Sequence, residues 1–217
     1  MESAPRRLKA SRRRSKDLLA YERLLKKEGY DLIIGVDEAG RGPLAGPVVA
    51  AAVALKTTSF KNRIDDSKKL NFNSREKAFG EIIHKSIFGI SVVSEKRIDR
   101  VNILRATREA MQNAVSSLLG KIKNSGFRSI HVIVDGKMSL DLRWPSTDII
   151  KGDAKSKSIA SASILAKVTR DRIMLKYDSI YPEYGFARHK GYPTEGHRAI
   201  IRKIGICPIH RKTFSCD

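Results

Sequence analysis

Short apolar runs alternate with amphipathic segments along this chain, and the alternation restricts the possible folds more than any other property of the sequence. Two runs, 31–37 and 47–55, lie close together and have the length and composition of buried strands. Further strand-like runs at 87–94, 129–135 and 148–153 alternate with segments of helical spacing. Neighbouring strands followed by strands interleaved with helices predict an α/β fold, with helices packed on a mixed sheet.

Helical spacing of apolar residues predicts five helices, at 17–28, 74–86, 98–118, 157–176 and 194–203. The third segment is predicted as one long helix. Part of the tail beyond Pro208 is also expected to be helical. The 217 residues, 41% of them hydrophobic, suffice for one sizeable core, so we expect one main domain with appendages.

Lysine and arginine outnumber aspartate and glutamate by 43 to 23, which gives a formal net charge of +20. This balance favours a polyanionic partner, and it favours nucleic acid more than a membrane surface. No apolar run is long enough to span a bilayer, and the basic N-terminus lacks the apolar stretch of a signal peptide, so we expect a soluble, cytoplasmic protein. Cys207 and Cys216 lack the spacing of a zinc site. The arginine-rich segment 1–16 is either a solvated tail or an extra phosphate-contacting arm.

Acidic residues end three of the predicted strands: Asp37 with Glu38, Asp135, and Asp153. Strand ends in α/β folds face the crevice in which ligands bind, so these four side chains are predicted to converge. Converging carboxylates must be neutralised, and two hard divalent cations about 3.5–4 Å apart would do so while activating water against a phosphodiester. Oxygen ligands favour Mg²⁺ or Mn²⁺.

Two cautions apply to these acids. Any one of them alone would more often be a turn former. Consecutive strand residues also point to opposite faces, so Asp37 and Glu38 can line one site only if the backbone turns or bulges there. Gly40 and Gly42, on either side of Arg41, would permit a sharp turn and a close approach of the backbone to a ligand.

Together these motifs resemble the ribonuclease HII family, the type 2 ribonucleases H. The segment 35–49, GVDEAGRGPLAGPVV, is similar to the family signature in its bacterial form. The other motifs follow in the family's order, at 66–70, 134–136, 151–153, 162–171 and 184–192. The resemblance implies a ribonuclease H-like fold, a mixed five-stranded sheet flanked by helices. A basic arm and short helix would occupy 1–30, and the catalytic domain 31–217, with a small helical C-terminal extension from about residue 178.

The resemblance also implies the site residues. It assigns catalysis and the binding of two Mn²⁺ or Mg²⁺ ions to Asp37, Glu38, Asp135 and Asp153. It assigns recognition of the ribose 2′-hydroxyl to Gly40, Arg41 and Gly42. The tyrosine beside the RNA–DNA junction corresponds to Tyr192, with Tyr184 as the competing assignment. Lysines within or beside the motifs are candidates for phosphate contacts: Lys68, Lys69, Lys151, Lys155, Lys157, Lys167 and Lys190.

The implied enzyme is an endonuclease that hydrolyses the RNA strand of RNA/DNA hybrids and cuts 5′ of single ribonucleotides embedded in duplex DNA. Its products carry 3′-hydroxyl and 5′-phosphate ends, and we expect a monomer that acts in DNA replication and repair. The related ribonuclease HIII family has Gly-Lys-Gly and a sizeable N-terminal domain, for which the 34 residues before Gly35 leave no room. The alternative from a different class is a non-catalytic basic nucleic-acid-binding protein. Acids at all four ligand positions argue against it.

Overall fold

A mixed five-stranded sheet forms the centre of the protein in the computed structural model, which describes residues 17–215. The strands are β1 (Leu32–Ala39), β2 (Val48–Leu55), β3 (Ser86–Val93), β4 (Ile130–Asp135) and β5 (Ser146–Ile149). Their order across the sheet is β3-β2-β1-β4-β5. Pairing is antiparallel among β1, β2 and β3, and parallel among β1, β4 and β5. The predicted mixed sheet of five strands is confirmed.

Helices cover both faces of this sheet. They are α1 (Ala20–Lys27), α2 (Phe72–Lys85), α3 (Glu95–Val101), α4 (Ile103–Lys121), α5 (Lys157–Ile180), α6 (Phe186–His189) and α7 (Glu195–Ile204). None of the helices within residues 17–215 combines the length and apolar character needed to cross a bilayer. The predictions for the segment 1–16 and for Cys216 concern residues outside the described range.

The alternation of side chains along β2 divides the core into two layers. Val49, Ala51 and Val53 face the layer that contains α2 and α5. Ala50 and Ala52, between them, face the layer packed against α4. Both faces of β2, which has a paired strand on each side, are therefore buried, and this explains why β2 is apolar throughout instead of alternating with polar residues.

The predicted single helix at 98–118 is wrong, because the chain forms two helices there. Asn102 separates α3 from α4 with a φ of +69°, and its side chain accepts a hydrogen bond from the backbone amide of Arg105 at 3.1 Å. Asparagine tolerates the left-handed region better than most residues and also caps helix N-termini. Apolar spacing continues on both sides of this residue, so periodicity alone could not reveal the break.

The tail is also not helical in its described part. Beyond α7 the chain makes turns, and His210 forms an isolated β-bridge with Ala45. The Arg211 amide donates to the Leu44 carbonyl oxygen at 2.8 Å. The tail therefore packs alongside the connection between β1 and β2.

A buried histidine pair lies within this C-terminal region. His197 is 0% exposed, and its Nδ1 donates to the Tyr192 carbonyl oxygen at 2.9 Å. Its Nε2 lies 3.1 Å from His210 Nε2, and the Cys207 amide donates to His210 Nδ1 at 3.0 Å. A consistent set of donors and acceptors requires both rings to be neutral, with His210 Nε2 donating to His197 Nε2. Burial lowers the pKa of His197 to about 4.

This pair predicts a loss of stability in mild acid. The unfolded chain takes up a proton on His197 near pH 6.5, whereas the folded chain resists protonation down to about pH 4. Between these values the unfolded state binds more protons, so the free energy of unfolding should rise with pH, by up to about 1.4 kcal/mol per pH unit for one histidine. Urea unfolding of the wild type and of His197→Asn across this window measures the effect.

The exposed His84 provides the matched control for that experiment. His84→Asn should leave the dependence of unfolding free energy on pH unchanged, because His84 is exposed and takes no part in the buried contact between His197 and His210. An equal slope for the wild type and His197→Asn would contradict the prediction.

Candidate active site

Asp37 and Glu38 lie at the carboxyl end of β1. The parallel pairing of β1 with β4 ends at Val36 and Val134, whereas its antiparallel pairing with β2 continues in register through Ala39. The predicted turn or bulge at the acid pair is therefore wrong, because β1 stays regular through both residues. Both acids can nevertheless serve one site, since they lie beyond the last pairing with β4, where that edge of β1 is no longer covered.

Asp135 ends β4, and it holds the turn that carries Asp153. The Gly152 amide donates to Asp135 Oδ1 at 2.6 Å. Lys151 adopts a left-handed conformation with φ +56°, and a 3-10 turn follows at Gly152–Ala154. β5 ends before this turn, so the prediction that Asp153 ends a strand is wrong. The left-handed residue turns the chain back toward β4, and Asp153 is only 6% exposed.

The four acids lie close enough to influence one another electrostatically. Burial, followed by the charges of Glu38 and Asp135, raises the pKa of Asp37 well above its usual range. Burial and the charge of Asp135 also raise the pKa of Glu38, against the opposing effect of Arg41, whose Nη1 lies 3.5 Å from Glu38 Oε1. Burial and neighbouring carboxylates, Asp135 among them, raise the pKa of Asp153. The charge of Asp135 thus acts on all three of the other acids.

The donor chemistry of this cluster fits a hard divalent cation. All four donors are carboxylates, the ligand type that Mg²⁺ and Mn²⁺ prefer, and bound cations relieve repulsion of the kind seen here. Within residues 17–215 no three His, Cys, Asp or Glu side chains already stand in an arrangement that could hold a metal ion.

The sequence reasoning missed the part played by the segment 66–70. Asp66 caps the 3-10 turn Ser67–Lys69 by accepting a hydrogen bond from the Lys68 amide at 2.9 Å. Lys68 Nζ lies 3.9 Å from Asp153 Oδ2. Burial lowers the pKa of Lys68, but the charges of Asp153 and the other nearby acids outweigh it, so the pKa is raised overall. The motif at 66–70 marked the segment, but it gave no basis for ranking Lys68 above the other lysines.

The loop 40–47 connects β1 to β2 and lies beside Tyr192. Gly40 has a φ of +104°, and a Cβ added there would lie 2.3 Å from Arg170 Nε, so only glycine fits. Arg41 and Gly42 are exposed. A Cβ added at Gly42 would lie 3.9 Å from Tyr192 Cε1, and Tyr192 is 39% exposed. The structure thus brings together the three loop residues and the tyrosine that the resemblance selected.

Tyr184, the competing assignment, lies in the core instead. It is 7% exposed, and its hydroxyl donates to the Gly205 carbonyl oxygen at 2.9 Å. Its ring stacks on Phe186 with centroids 5.4 Å apart. A tyrosine engaged on its ring and its hydroxyl has little surface left for a ligand, whereas the ring of Tyr192 is exposed.

Comparison with known proteins gives consistent results in sequence and in fold. The family profile described as Ribonuclease HII matches residues 34–216. Ribonuclease HII of Ruminiclostridium cellulolyticum is 51% identical over 202 residues, covering 93% of this chain and 76% of that protein. The crystal structure of ribonuclease H2 from Pyrococcus horikoshii OT3 has a TM-score of 0.65 at 27% identity, covering 85% of this chain and 94% of that one. Bst-RNase HIII in complex with Mn²⁺ has a TM-score of 0.65 at 19% identity, covering 97% of this chain and 74% of that one, and this likeness concerns the fold alone.

The matched region contains every residue of the carboxylate cluster, the loop 40–47 and Tyr192. Such extensive similarity to ribonucleases decides between an enzyme and a non-catalytic binding protein. The profile match and the relative that is about half identical over nine-tenths of the chain show that this chain belongs to the ribonuclease HII family and is a ribonuclease H enzyme.

Proposed function

We propose that this enzyme hydrolyses the RNA strand of RNA/DNA hybrids and cuts 5′ of single ribonucleotides embedded in duplex DNA. Its products would carry 3′-hydroxyl and 5′-phosphate ends. The observation that carries the proposal is a cluster of four acids, Asp37, Glu38, Asp135 and Asp153, in a chain of net charge +20. The basic protein attracts a polyanionic duplex, whereas the acids would repel its phosphates unless divalent cations lay between them.

The proposed cofactor is a pair of Mg²⁺ or Mn²⁺ ions held by these four carboxylates. The choice of ion follows from the ligands, because carboxylate oxygens favour Mg²⁺ or Mn²⁺. When bound, such ions would act as Lewis acids that activate water and neutralise the negative charge of the phosphate under attack. Burial of Asp37 and Asp153 limits competition from bulk water for their oxygens. Arg41 beside Glu38, and Lys68 beside Asp153, place positive charge around the cluster where phosphates would approach.

Recognition of the ribonucleotide is proposed to depend on the loop 40–47 and Tyr192. The 2′-hydroxyl is both donor and acceptor, and it distinguishes RNA from DNA at a single nucleotide. The backbone at Gly40, Arg41 and Gly42 would contact this hydroxyl, which serves recognition and not attack. The exposed ring of Tyr192 would pack on the deoxyribose that follows, since an aromatic ring packs better on a sugar without a hydroxyl.

The direct test uses an end-labelled duplex with one embedded ribonucleotide, incubated with Mg²⁺ or Mn²⁺. We expect one product, cut on the 5′ side of the ribonucleotide, and no cutting of the all-DNA duplex. A chelator should stop the reaction, and an excess of either ion should restore it, because the carboxylates cannot approach a phosphate without cations. Gel electrophoresis against a sequence ladder locates the cut.

Two outcomes of this test would count against the proposal. Cleavage that continues in chelator would show that the reaction does not require metal ions. An intact duplex under both metals would remove the proposed substrate, and an RNA/DNA hybrid tested in parallel would show whether the enzyme requires a run of ribonucleotides instead.

A further inference from the structure

Two arginines lie buried behind the loop 40–47, and neither forms an ion pair with any residue in the range 17–215. Arg170, in α5, is 0% exposed, and Arg211, in the tail, is 1% exposed. The charge of Asp171 acts on Arg170, and the charges of Asp99 and Glu95 act on Arg211, but none of these acids forms an ion pair with either arginine. Asp171 is paired with a lysine, and Asp99 accepts hydrogen bonds from residues 212 and 213. Each guanidinium instead donates to backbone carbonyl oxygens.

Almost all of these carbonyl groups belong to the loop 40–47. Arg170 donates at 2.9–3.0 Å to the carbonyl oxygens of Ala45, Pro47 and Lys190. Arg211 donates at 2.6–3.0 Å to those of Gly40, Arg41 and Gly46. Five of the six acceptors lie in the loop 40–47, and the sixth lies two residues before Tyr192. The two side chains therefore hold both the loop 40–47 and the segment before Tyr192, the two elements proposed to recognise the ribonucleotide.

This arrangement carries an energetic cost that a simple packing role would not require. Burial lowers the pKa of Arg170 to about 10, and burial together with the charge of Arg170 lowers the pKa of Arg211 to about 9. Both groups still carry charge at neutral pH, adjacent to each other and desolvated. Apolar residues of similar volume often fill such space at lower cost than buried charges do. The planar fork of arginine, however, can hold several carbonyls in fixed relative positions.

Arg170 and Arg211 together form a clamp on the loop 40–47. This clamp determines which way the peptide groups of the loop face. A trans peptide is planar, so the N–H of each residue points opposite to the preceding carbonyl, and residues 17–215 contain no cis peptide. Because the Gly40 and Arg41 carbonyls point inward to Arg211, the amides of Arg41 and Gly42 point away from it. Both residues are exposed, and Gly42 lies beside Tyr192. Two backbone donors are thus presented on the surface that would meet the ribose.

We propose that Arg170 and Arg211 are positioning residues that orient the loop 40–47 and thereby set the enzyme's discrimination for a ribonucleotide. The inference rests on the proposed role of this loop in recognising the 2′-hydroxyl. Neither arginine touches the substrate. They act through the carbonyls that they hold, so losing one should impair ribonucleotide-dependent cleavage without weakening general attraction to a duplex.

The test uses Arg211→Ala, which leaves a guanidinium-sized cavity lined by three carbonyls. We expect kcat/KM on the single-ribonucleotide duplex to fall by about 100-fold, the effect of a displacement of roughly 1 Å in a recognition element. Affinity for an all-DNA duplex should stay within about twofold, because exposed lysines and arginines supply that attraction. Guanidinium at a non-denaturing millimolar concentration should refill the cavity and raise the kcat/KM of Arg211→Ala by about tenfold. Methylammonium should not.

Arg172→Ala is the matched control, since Arg172 lies on the same helix as Arg170 but is exposed and paired with Glu76. It should keep wild-type kcat/KM and show no response to guanidinium. If Arg211→Ala fails to fold, Arg170→Lys and Arg211→Lys replace it. Each retains the charge but not the planar fork, so we expect at least about tenfold loss of kcat/KM with unchanged affinity for all-DNA duplex.

Several outcomes would overturn the inference. The first is a folded Arg211→Ala whose kcat/KM stays within about threefold of wild type. The second is a loss of affinity for the all-DNA duplex as large as the loss of kcat/KM. Failure of the proposed function would show separately, as a wild type that cuts no substrate. In that case backbone amide hydrogen exchange tests the clamp itself. Loss of protection confined to the loop 40–47 in Arg211→Ala would support it, and unchanged protection would refute it.

Discussion

Substituting Asp135 by asparagine is expected to abolish cleavage of a ribonucleotide-containing duplex while leaving the protein folded. Asp135 is the acid whose charge raises the pKa of each of the other three, so it lies at the electrostatic centre of the cluster. Asparagine keeps an oxygen that can accept the hydrogen bond from the Gly152 amide, so the turn carrying Asp153 should persist. Changing groups that only orient a metal ligand costs about 10–100-fold, so we expect the loss of a ligand to exceed about 100-fold.

Single-turnover cleavage with Mg²⁺ or Mn²⁺ measures this effect, and duplex binding in chelator is the companion measurement. Binding should be unchanged or tighter, because a negative charge has been removed from the surface proposed to face phosphates. Asp141→Asn is the matched control, since Asp141 is exposed and lies outside the cluster. Cleavage by Asp135→Asn at more than about a tenth of the wild-type rate would show that this acid is not a ligand.

Local pattern was enough to locate the five strands and most of the helices, and to place three of the four acids at strand ends. Apolar runs located each strand to within a few residues, and the acids at 37, 38 and 135 do lie at strand ends. Asp153 was correctly grouped with them but for an incorrect reason. Its position depends on the left-handed conformation of Lys151 and on the contact between Asp135 and Gly152, and neither is visible in apolar spacing.

Features that depend on contacts distant in sequence could not be predicted. Arg170 occurs in a helical run of mixed polarity, and Arg211 occurs in a basic tail, where both look like solvated charges. Their burial follows from the way α5 and the tail enclose the loop 40–47. The contact between His197 and His210 has the same origin, since 13 positions separate them along the chain and only the tail's return brings their rings together. The glycines of the Gly-Arg-Gly motif were noted for their backbone freedom, but not for the arginine that occupies the space beside Gly40.

Gly35→Ala should separate the two halves of the acid cluster. A Cβ at Gly35 would lie 2.3 Å from the backbone carbon of Ser158 and 2.4 Å from the amide nitrogen of Ile159, at the start of α5. Ordinary contact begins at 3.4 Å, so β1 and α5 would have to separate by about 1 Å. Asp37 follows Gly35 by two residues in β1, and Asp153 lies just before α5. We expect overpacking to lower the free energy of unfolding by about 1–3 kcal/mol, and kcat to fall by about 100-fold.

Gly89→Ala separates the loss of site geometry from the loss of stability. A Cβ at Gly89, in β3, would lie 2.1 Å from the Ala114 carbonyl oxygen and 2.6 Å from the Leu118 amide nitrogen of α4. This overpacking is equally severe but lies between elements that carry none of the four acids. Its cost in unfolding free energy should be similar, about 1–3 kcal/mol, while kcat of the folded protein should stay near wild type. Equal losses of kcat in the two variants, measured at a temperature where both remain folded, would show that the spacing of β1 and α5 does not control the geometry of the acid cluster.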